Sequence, residues 1–224
     1  MNSKGILMST DMAFALLNDT KTETRRTRGL GEINANPNDW HGELFTNEKG
    51  ILVANFVNRA SGEHKEVKNP FGSKGELLYT KETYQNLEPI DGGLVYKASP
   101  NGKDWAEQDE EWKWEPSLFM PRKYARLWLE IKSISIERLH QITQEEAINE
   151  GIHKIETDNG YAYKDYLSEH NICFHPVNSF ETLWESINGK DSYQQNPWLW
   201  VIKFKVVSKN GFESIKEKKE VANV

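Results

Sequence analysis

From Leu127 to Ile136 the chain alternates apolar and polar residues with a period of two, and the phase slips once. Leu127, Leu129 and Ile131 share one face and Trp128, Glu130 and Lys132 the other; the apolar set then moves to Ile134 and Ile136. Successive side chains leave a strand on opposite sides, so period two marks a strand with one buried face. A one-residue slip sends every later side chain to the other face, which is the work of a bulge or a sharp bend. Residues 125–139 are therefore expected to form a bent strand pair of the kind that turns a corner in a barrel. Trp198, Trp200, Ile202, Phe204 and Val206 repeat the alternation and predict a long final strand.

The remaining elements are short. Gly5-Ile6-Leu7-Met8 reads as a first buried strand. Ser9 or Thr10 then caps a helix over roughly 11–19, with Met12, Ala13, Leu16 and Leu17 as its apolar stripe. Gly75–Thr83 predicts a strand entered through a turn, and Leu94–Ala98 a shorter one. Pro116 and Pro121 bracket the turn Ser117–Met120. Thr143-Gln144-Glu145-Glu146 is a capping box that opens a short helix stopping at Gly151. Asn178 and Glu181 make a similar start for a helix with Phe180, Leu183, Trp184 and Ile187 on one face, ending at Asn188-Gly189.

Residues 29–74, rich in Asn, Gly and Pro, read as an insertion holding at most one hairpin, and 152–177 as a second insertion. The order is not an alternating βαβ pattern, and no glycine-rich phosphate loop is present. The expectation is an α+β chain: a small mixed or antiparallel β-barrel flanked by short α-helices. It would be one domain over 1–207 with two loop-rich insertions, followed by a charged, frayed tail over 208–224.

Composition narrows the function. The net charge is -6, so the chain is not a globally basic nucleic-acid coat, and any such contact must come from a local patch. The single cysteine, Cys173, excludes an internal disulfide framework and a cysteine-only zinc site. A buried small hydrophobe is its expected role. No run reaches membrane-spanning length, and a reduced, cytoplasmic setting is expected. His140, His153, His170 and His175 lack ligand spacing, so neither a metal nor a cofactor is expected.

The richest chemistry lies in Lys21-Thr22-Glu23-Thr24-Arg25-Arg26. If extended, the stretch points Lys21, Glu23 and Arg25 one way and Thr22, Thr24 and Arg26 the other. In a loop or at a strand end, Lys21, Thr24 and Arg26 can instead converge on one pocket. Cations beside a hydroxyl suit a phosphate, a sugar, or a carbonyl oxygen that is gaining charge.

Four stretches in order resemble the ASCH domain, a relative of the PUA fold, in its phage and prophage branch. Asn18–Arg26 is similar to the family's glycine-lysine-x-x-x-x-arginine turn, with Asn18-Asp19-Thr20 as the lead-in. Gly75-Glu76-Leu77-Leu78-Tyr79-Thr80-Lys81-Glu82-Thr83 is similar to its G-D-x-L-x-V-R-E-T strand. Trp114-Glu115-Pro116-Ser117-Leu118-Phe119-Met120-Pro121-Arg122, followed by Ala125-Arg126, looks like its W-x-P-S-x-x-M-P-R run. Thr143–Gly151 and the Trp184–Phe204 segment complete the set.

The resemblance implies a PUA-like barrel that binds RNA or a modified nucleoside beside the first helix. Some small ASCH proteins are amidohydrolases that deacetylate N4-acetylcytidine with a Lys and a Thr of the turn and a Glu of a short helix. That implication lands on Lys21, Thr24 and Glu150, with Arg26 as the companion arginine. A protein-interaction scaffold is a third reading, in keeping with the acidic residues of 104–111. The oligomeric state is open.

Other residues divide between ligand and framework. Arg25 belongs with the cationic set. Glu82, Arg122 and Arg126 lie at strand ends, where they can line a ligand mouth or form a salt bridge. Trp128, Trp184, Trp198 and Trp200 sit on patterned elements and are expected in the core. Trp105, Trp112 and Trp114 lie in a polar loop, where one of them can stack a base. Lys21 and Arg26 also have a purely structural reading, as ion-pair partners of Glu82 or Glu150.

Overall fold

The computed structural model describes residues 3–87, 93–99, 113–158 and 160–215. The strands are β1 (Ser3–Leu7), β2 (Glu23–Arg26), β3 (Trp40–Thr46), β4 (Leu52–Asn58), β5 (His64–Lys68), β6 (Leu77–Lys81), β7 (Tyr84–Asn86), β8 (Leu94–Tyr96), β9 (Trp128–Arg138), β10 (Lys154–Thr157), β11 (Gly160–Lys164), β12 (Ile172–Cys173) and β13 (Trp198–Ser208). The helices are α1 (Thr10–Leu17), α2 (Gly31–Asn34), α3 (Gln144–Asn149) and α4 (Pro176–Asn188). The chain divides into two compact units, one drawn from Met1–Asp19, Gly75–Ile131 and Lys205–Val224, the other from Thr20–Lys74 and Lys132–Phe204.

In the first unit β1 runs parallel to β6, and β6 pairs antiparallel with the start of β9 through Leu77↔Glu130, Leu78↔Leu129 and Tyr79↔Trp128. α1 begins where expected: the Ser9 side chain accepts from the Met12 amide, and Met12, Ala13 and Leu16 are buried. The segment after Ser208 is not a frayed tail throughout. Ile215 packs with Leu77, Ala125 and Trp128, and Phe212 lies against the Trp128 ring at 4.7 Å. Residues 216–224 lie outside the described residues, as do Trp105, Trp112 and the acidic residues of 104–111.

In the second unit the two expected insertions carry sheets of their own. Residues 40–68 form the antiparallel sheet β3-β4-β5, where at most one hairpin was expected. Residues 154–173 form the antiparallel sheet β10-β11-β12. α4 starts at Pro176, three residues earlier than the Asn178 box implied, because proline at the first turn is already set to a helical φ. It ends as expected at Gly189, which takes φ +98°. β2 pairs antiparallel with β13, from Trp200↔Arg26 to Lys203↔Glu23.

The fold class is α+β with mostly antiparallel pairing. Among the described residues no sheet closes into a barrel: β1 pairs only with β6, and β2 only with β13. β9 also corrects the expected bent pair, being one continuous strand of 11 residues. Its phase slip falls at Lys132 and Ser133, two adjacent exposed residues just past Ile131, where the chain leaves the first unit for the second. Before the slip Trp128, Leu129 and Ile131 are buried, and after it Ile134 and Ile136 are only half-buried. Among the described residues no helix is long and apolar enough to cross a membrane.

Trp128, Trp184, Trp198 and Trp200 are all buried, as their patterning implied. Around Trp198 the packing is specific: Phe56 meets it edge-to-face at 5.4 Å, and a Cβ built on Gly42 would lie 2.6 Å from the Phe56 ring and 3.2 Å from Trp198. A methyl group there must push two packed rings apart. Gly42→Ala is expected to destabilise the protein by about 1–3 kcal/mol, the usual cost of overpacking, read as a lower midpoint in urea unfolding.

Candidate active site: a buried cluster of lysine, arginine and carboxylates

Glu23–Arg26 is a strand, so the extended alternative governs the lysine turn. Glu23 and Arg25 face the same side, and Lys21 joins them there around one carboxylate, Glu150. The Lys21 Nζ donates to Glu150 Oε2 at 2.7 Å and to the Glu150 carbonyl oxygen at 2.6 Å. Arg25 Nη1 donates to the other Glu150 oxygen at 3.2 Å and to Glu23 Oε1 at 2.9 Å, while its Nη2 donates to Glu146 Oε2 at 3.0 Å. Lys203 closes the set, 3.2 Å from Glu146 Oε1 and 3.5 Å from Glu23 Oε2. Three cations and three carboxylates therefore neutralise one another within the second unit.

Local structure explains the convergence. Asp19 takes φ +58° in the lead-in, a left-handed conformation that Asp tolerates because its short polar side chain can bond locally. The Thr22 amide then donates to the Asn149 carbonyl at 2.8 Å, and Thr22 accepts from the Phe204 amide at 2.8 Å. These bonds fix the turn against the C-terminal end of α3. The capping box is fully formed, with the Thr143 hydroxyl accepting from the Glu146 amide and the Glu146 carboxylate accepting from the Thr143 amide. Glu146 and Glu150 stand four residues apart and so share a helix face. Phe180 of α4 packs beside Arg25, whose guanidinium carbon lies 5.9 Å from the ring centre.

The cluster is dry. Lys21 is 1% exposed, Thr24 1%, Arg25 3% and Glu150 4%; Arg26 is half-buried. Burial drives the Lys21 amine well below its usual range, Glu150 opposes that shift, and the Arg26 charge adds to it. Burial raises the Glu23 carboxyl against the pull of Arg25. Burial would raise Glu146 too, but the Thr143 amide, Arg25 and Lys203 together hold it below the usual carboxylate range. Among the described residues the Arg25 Nε is a buried donor without a partner.

Sequence reasoning found Lys21 and Glu150 as a pair 129 residues apart, and placed Arg25 and Arg26 nearby. Arg25 spends its fork on three carboxylates. Thr24 is buried on β2 opposite Ile202, and strand alternation turns its side chain to the other face from Glu23 and Arg25, so it does not join Lys21 as the convergent arrangement required. Glu146 and Lys203 were missed as members; the four-residue spacing to Glu150 was the available signal for the first, whereas Lys203 depends on the β2–β13 register.

The other predicted residues lie in the first unit. Arg126 meets Glu82 through Nε and Nη2, the latter at 2.8 Å, and donates to the Ser99 hydroxyl at 2.7 Å from Nη1. Its guanidinium sits 4.1 Å over the Tyr96 ring, and burial pushes the Tyr96 phenol up to about 12 against the pull of Arg126. With Glu82 only 1% exposed, this is the strand-end bridge in buried form. Arg122 stacks over Trp128 and Phe212 at 5.3 and 5.4 Å. Trp114 is half-buried. Cys173, in the second unit, is half-buried rather than buried, and burial raises its thiol.

Set against known proteins, the chain matches no family model, no curated sequence and no solved structure.

Removing one partner from a buried, bonded ion pair leaves an uncompensated charge. Glu150→Gln is therefore expected to cost about 3–5 kcal/mol in urea unfolding, whereas Lys203→Ala, at a half-exposed position, should cost only about 0–1 kcal/mol. A second expectation concerns pH. Glu146 is held below its unfolded value, so its contribution is present above the ordinary glutamate range and lost as pH falls through the folded value. In Glu146→Gln that part of the acid-side loss of stability should disappear, and the stability gap to the parent protein should narrow at low pH.

Proposed function

We propose that this chain is an ASCH-type protein that binds a modified pyrimidine nucleoside, and that Lys21 and Glu150 are the working pair that hydrolyses its exocyclic amide. One observation carries the reading: the 2.7 Å contact between Lys21 Nζ and Glu150 Oε2, two residues that the four ASCH-like motifs assign to one site from opposite halves of the chain. The finer fold belongs to the same proposal. A PUA-like arrangement is implied by the motifs, while the open sheets mean that it would be an unclosed form of that barrel.

The chemistry follows from the groups present. Water attacks the amide carbon, and a new C–O bond forms as the attacking proton passes to the Lys21–Glu150 pair. Burial favours the neutral amine of Lys21, which prepares it to accept that proton. The Arg26 guanidinium stabilises the oxyanion. The C–N bond then breaks as the proton is returned to the departing exocyclic nitrogen, which leaves as the free amine of cytidine while the acyl group leaves as the acid.

A second reading has its own support. Every charge of the six-member set is partnered within the set, and Lys21 is 1% exposed, as an ion cluster that only pins α3 to β2 would be. The two readings separate in one assay. The protein is incubated with N4-acetylcytidine and cytidine release is followed. The hydrolase reading expects release that falls about 10²- to 10⁴-fold in Lys21→Ala, the range for loss of an acid–base group. No release, or equal release by folded Lys21→Ala, leaves the cluster as framework.

A further inference from the structure

A groove of about 490 Å³ opens in the second unit at the end of the β3–β4 hairpin. Its polar lining comes from three separate chain segments: Thr46 at the end of β3, Ser73 and Lys74 from the loop after β5, and Lys132 and Ser133 from β9. Leu52 and Ile134 supply its apolar surface. No carboxylate is among the residues that line it, in a chain whose net charge is -6. Lys132 and Ser133 are adjacent on β9 and both exposed, and Lys132 shares its side of the strand with Ile134.

The walls are set in advance. Asn47 holds the hairpin turn, its side-chain oxygen accepting from the Lys49 and Ile51 amides at 3.1 and 3.0 Å. Gly50, at φ +71°, completes that turn in a conformation few side chains tolerate. The loop that delivers Ser73 and Lys74 is anchored by buried Asn69. Its amide donates to the Leu52 carbonyl at 3.1 Å, its side-chain oxygen accepts from Phe71 at 2.9 Å, and its side-chain nitrogen donates to the Gly72 carbonyl. A polar groove whose walls are already ordered loses little entropy on binding.

We propose that this groove is a binding site for a phosphate ester, with Lys74 and Lys132 on the phosphate oxygens, the hydroxyls of Thr46 and Ser73 completing the contacts, and Leu52 and Ile134 against the sugar or base. Lysine serves phosphate as a point charge, and the volume lies within the range of small-ligand pockets. The phosphate can belong to a free mononucleotide or to the backbone of a single-stranded RNA. The site stands on its own geometry and does not depend on amide hydrolysis at Lys21.

The test uses the full chain and three probes: inorganic phosphate, cytidine monophosphate and a short single-stranded oligocytidylate, each titrated at several salt concentrations. If RNA backbone is the ligand, the oligonucleotide binds best, and log K falls with log salt by about 0.7 per phosphate contact. Lys74→Ala and Lys132→Ala should then each remove about 0.7 from that slope, with the double variant weaker by about 10-fold. If a free nucleotide is the ligand, the monophosphate binds as tightly as the oligonucleotide and weakens in the same variants. Lys190→Ala, an exposed lysine outside the groove, should leave both slope and affinity unchanged. Failure of all three probes to bind, or binding that ignores Lys74 and Lys132, overturns the site. Hydrolysis of free N4-acetylcytidine, measured in the double variant, reports on the Lys21 reading separately.

Discussion

The second unit depends on how one carboxylate, Glu150, is shared. Its two oxygens face two cations, Lys21 through Oε2 and Arg25 through Oε1, and its backbone carbonyl takes a further bond from Lys21. Moving an isolated charge out of water costs several kcal/mol even after relaxation, so a dry lysine exists only where its partners are supplied. The partners come from distant parts of the chain. α3 must end at Glu150, the lysine turn must leave Asp19 at a set angle, and β13 must hold β2 in register for Lys203 to reach Glu23 and Glu146. Satisfying one buried ammonium therefore fixes three elements at once.

This arrangement also ranks the electrostatic contacts. Glu23 and Glu150 share Arg25 in a buried setting, where each bond is charge-assisted and shielded from salt. Lys203 reaches the same carboxylates from a half-exposed position and is correspondingly weak. The opposing directions of Glu23 and Glu146 follow from the same difference. Burial dominates for Glu23, whereas Glu146 has an amide, a guanidinium and an ammonium at its less buried carboxylate.

Much of this was legible where a local rule was strong. The Ser9 cap, the Thr143 capping box and the glycine stop at Gly189 act within a few residues, and each helix end follows from its own side chains. The Lys21–Glu150 meeting was legible only through the ASCH resemblance, because no local pattern joins residues so far apart. The sheet β3-β4-β5 was not legible for a different reason. β5 reads His-Lys-Glu-Val-Lys, with no apolar alternation, and only pairing with β4 makes it a strand. Phe212 and Ile215 were hidden in a charged tail, where two apolar residues three apart give no periodicity to read.

The two candidate sites of the second unit make opposite demands on a lysine. An ammonium that must hold a phosphate works best hydrated and mobile, at a rim where its charge reaches into solvent and steers an anion inward. Lys74 and Lys132 are both exposed. An amine that must accept a proton works best dry, where desolvation brings its affinity for the proton down toward the working range. Burial moves Lys21 in that direction, and Glu150 opposes the shift. A ligand entering beside Lys21 must therefore bring hydrogen-bonding groups that replace what it displaces, and an amide, with one carbonyl acceptor and one N–H donor, offers both kinds. A bare phosphate offers acceptors alone and would leave Glu150 facing a second anion. The hydrolysis proposed for the cluster thus calls for a neutral acyl group, and the site proposed in the groove, with no carboxylate in its lining, for a charged one.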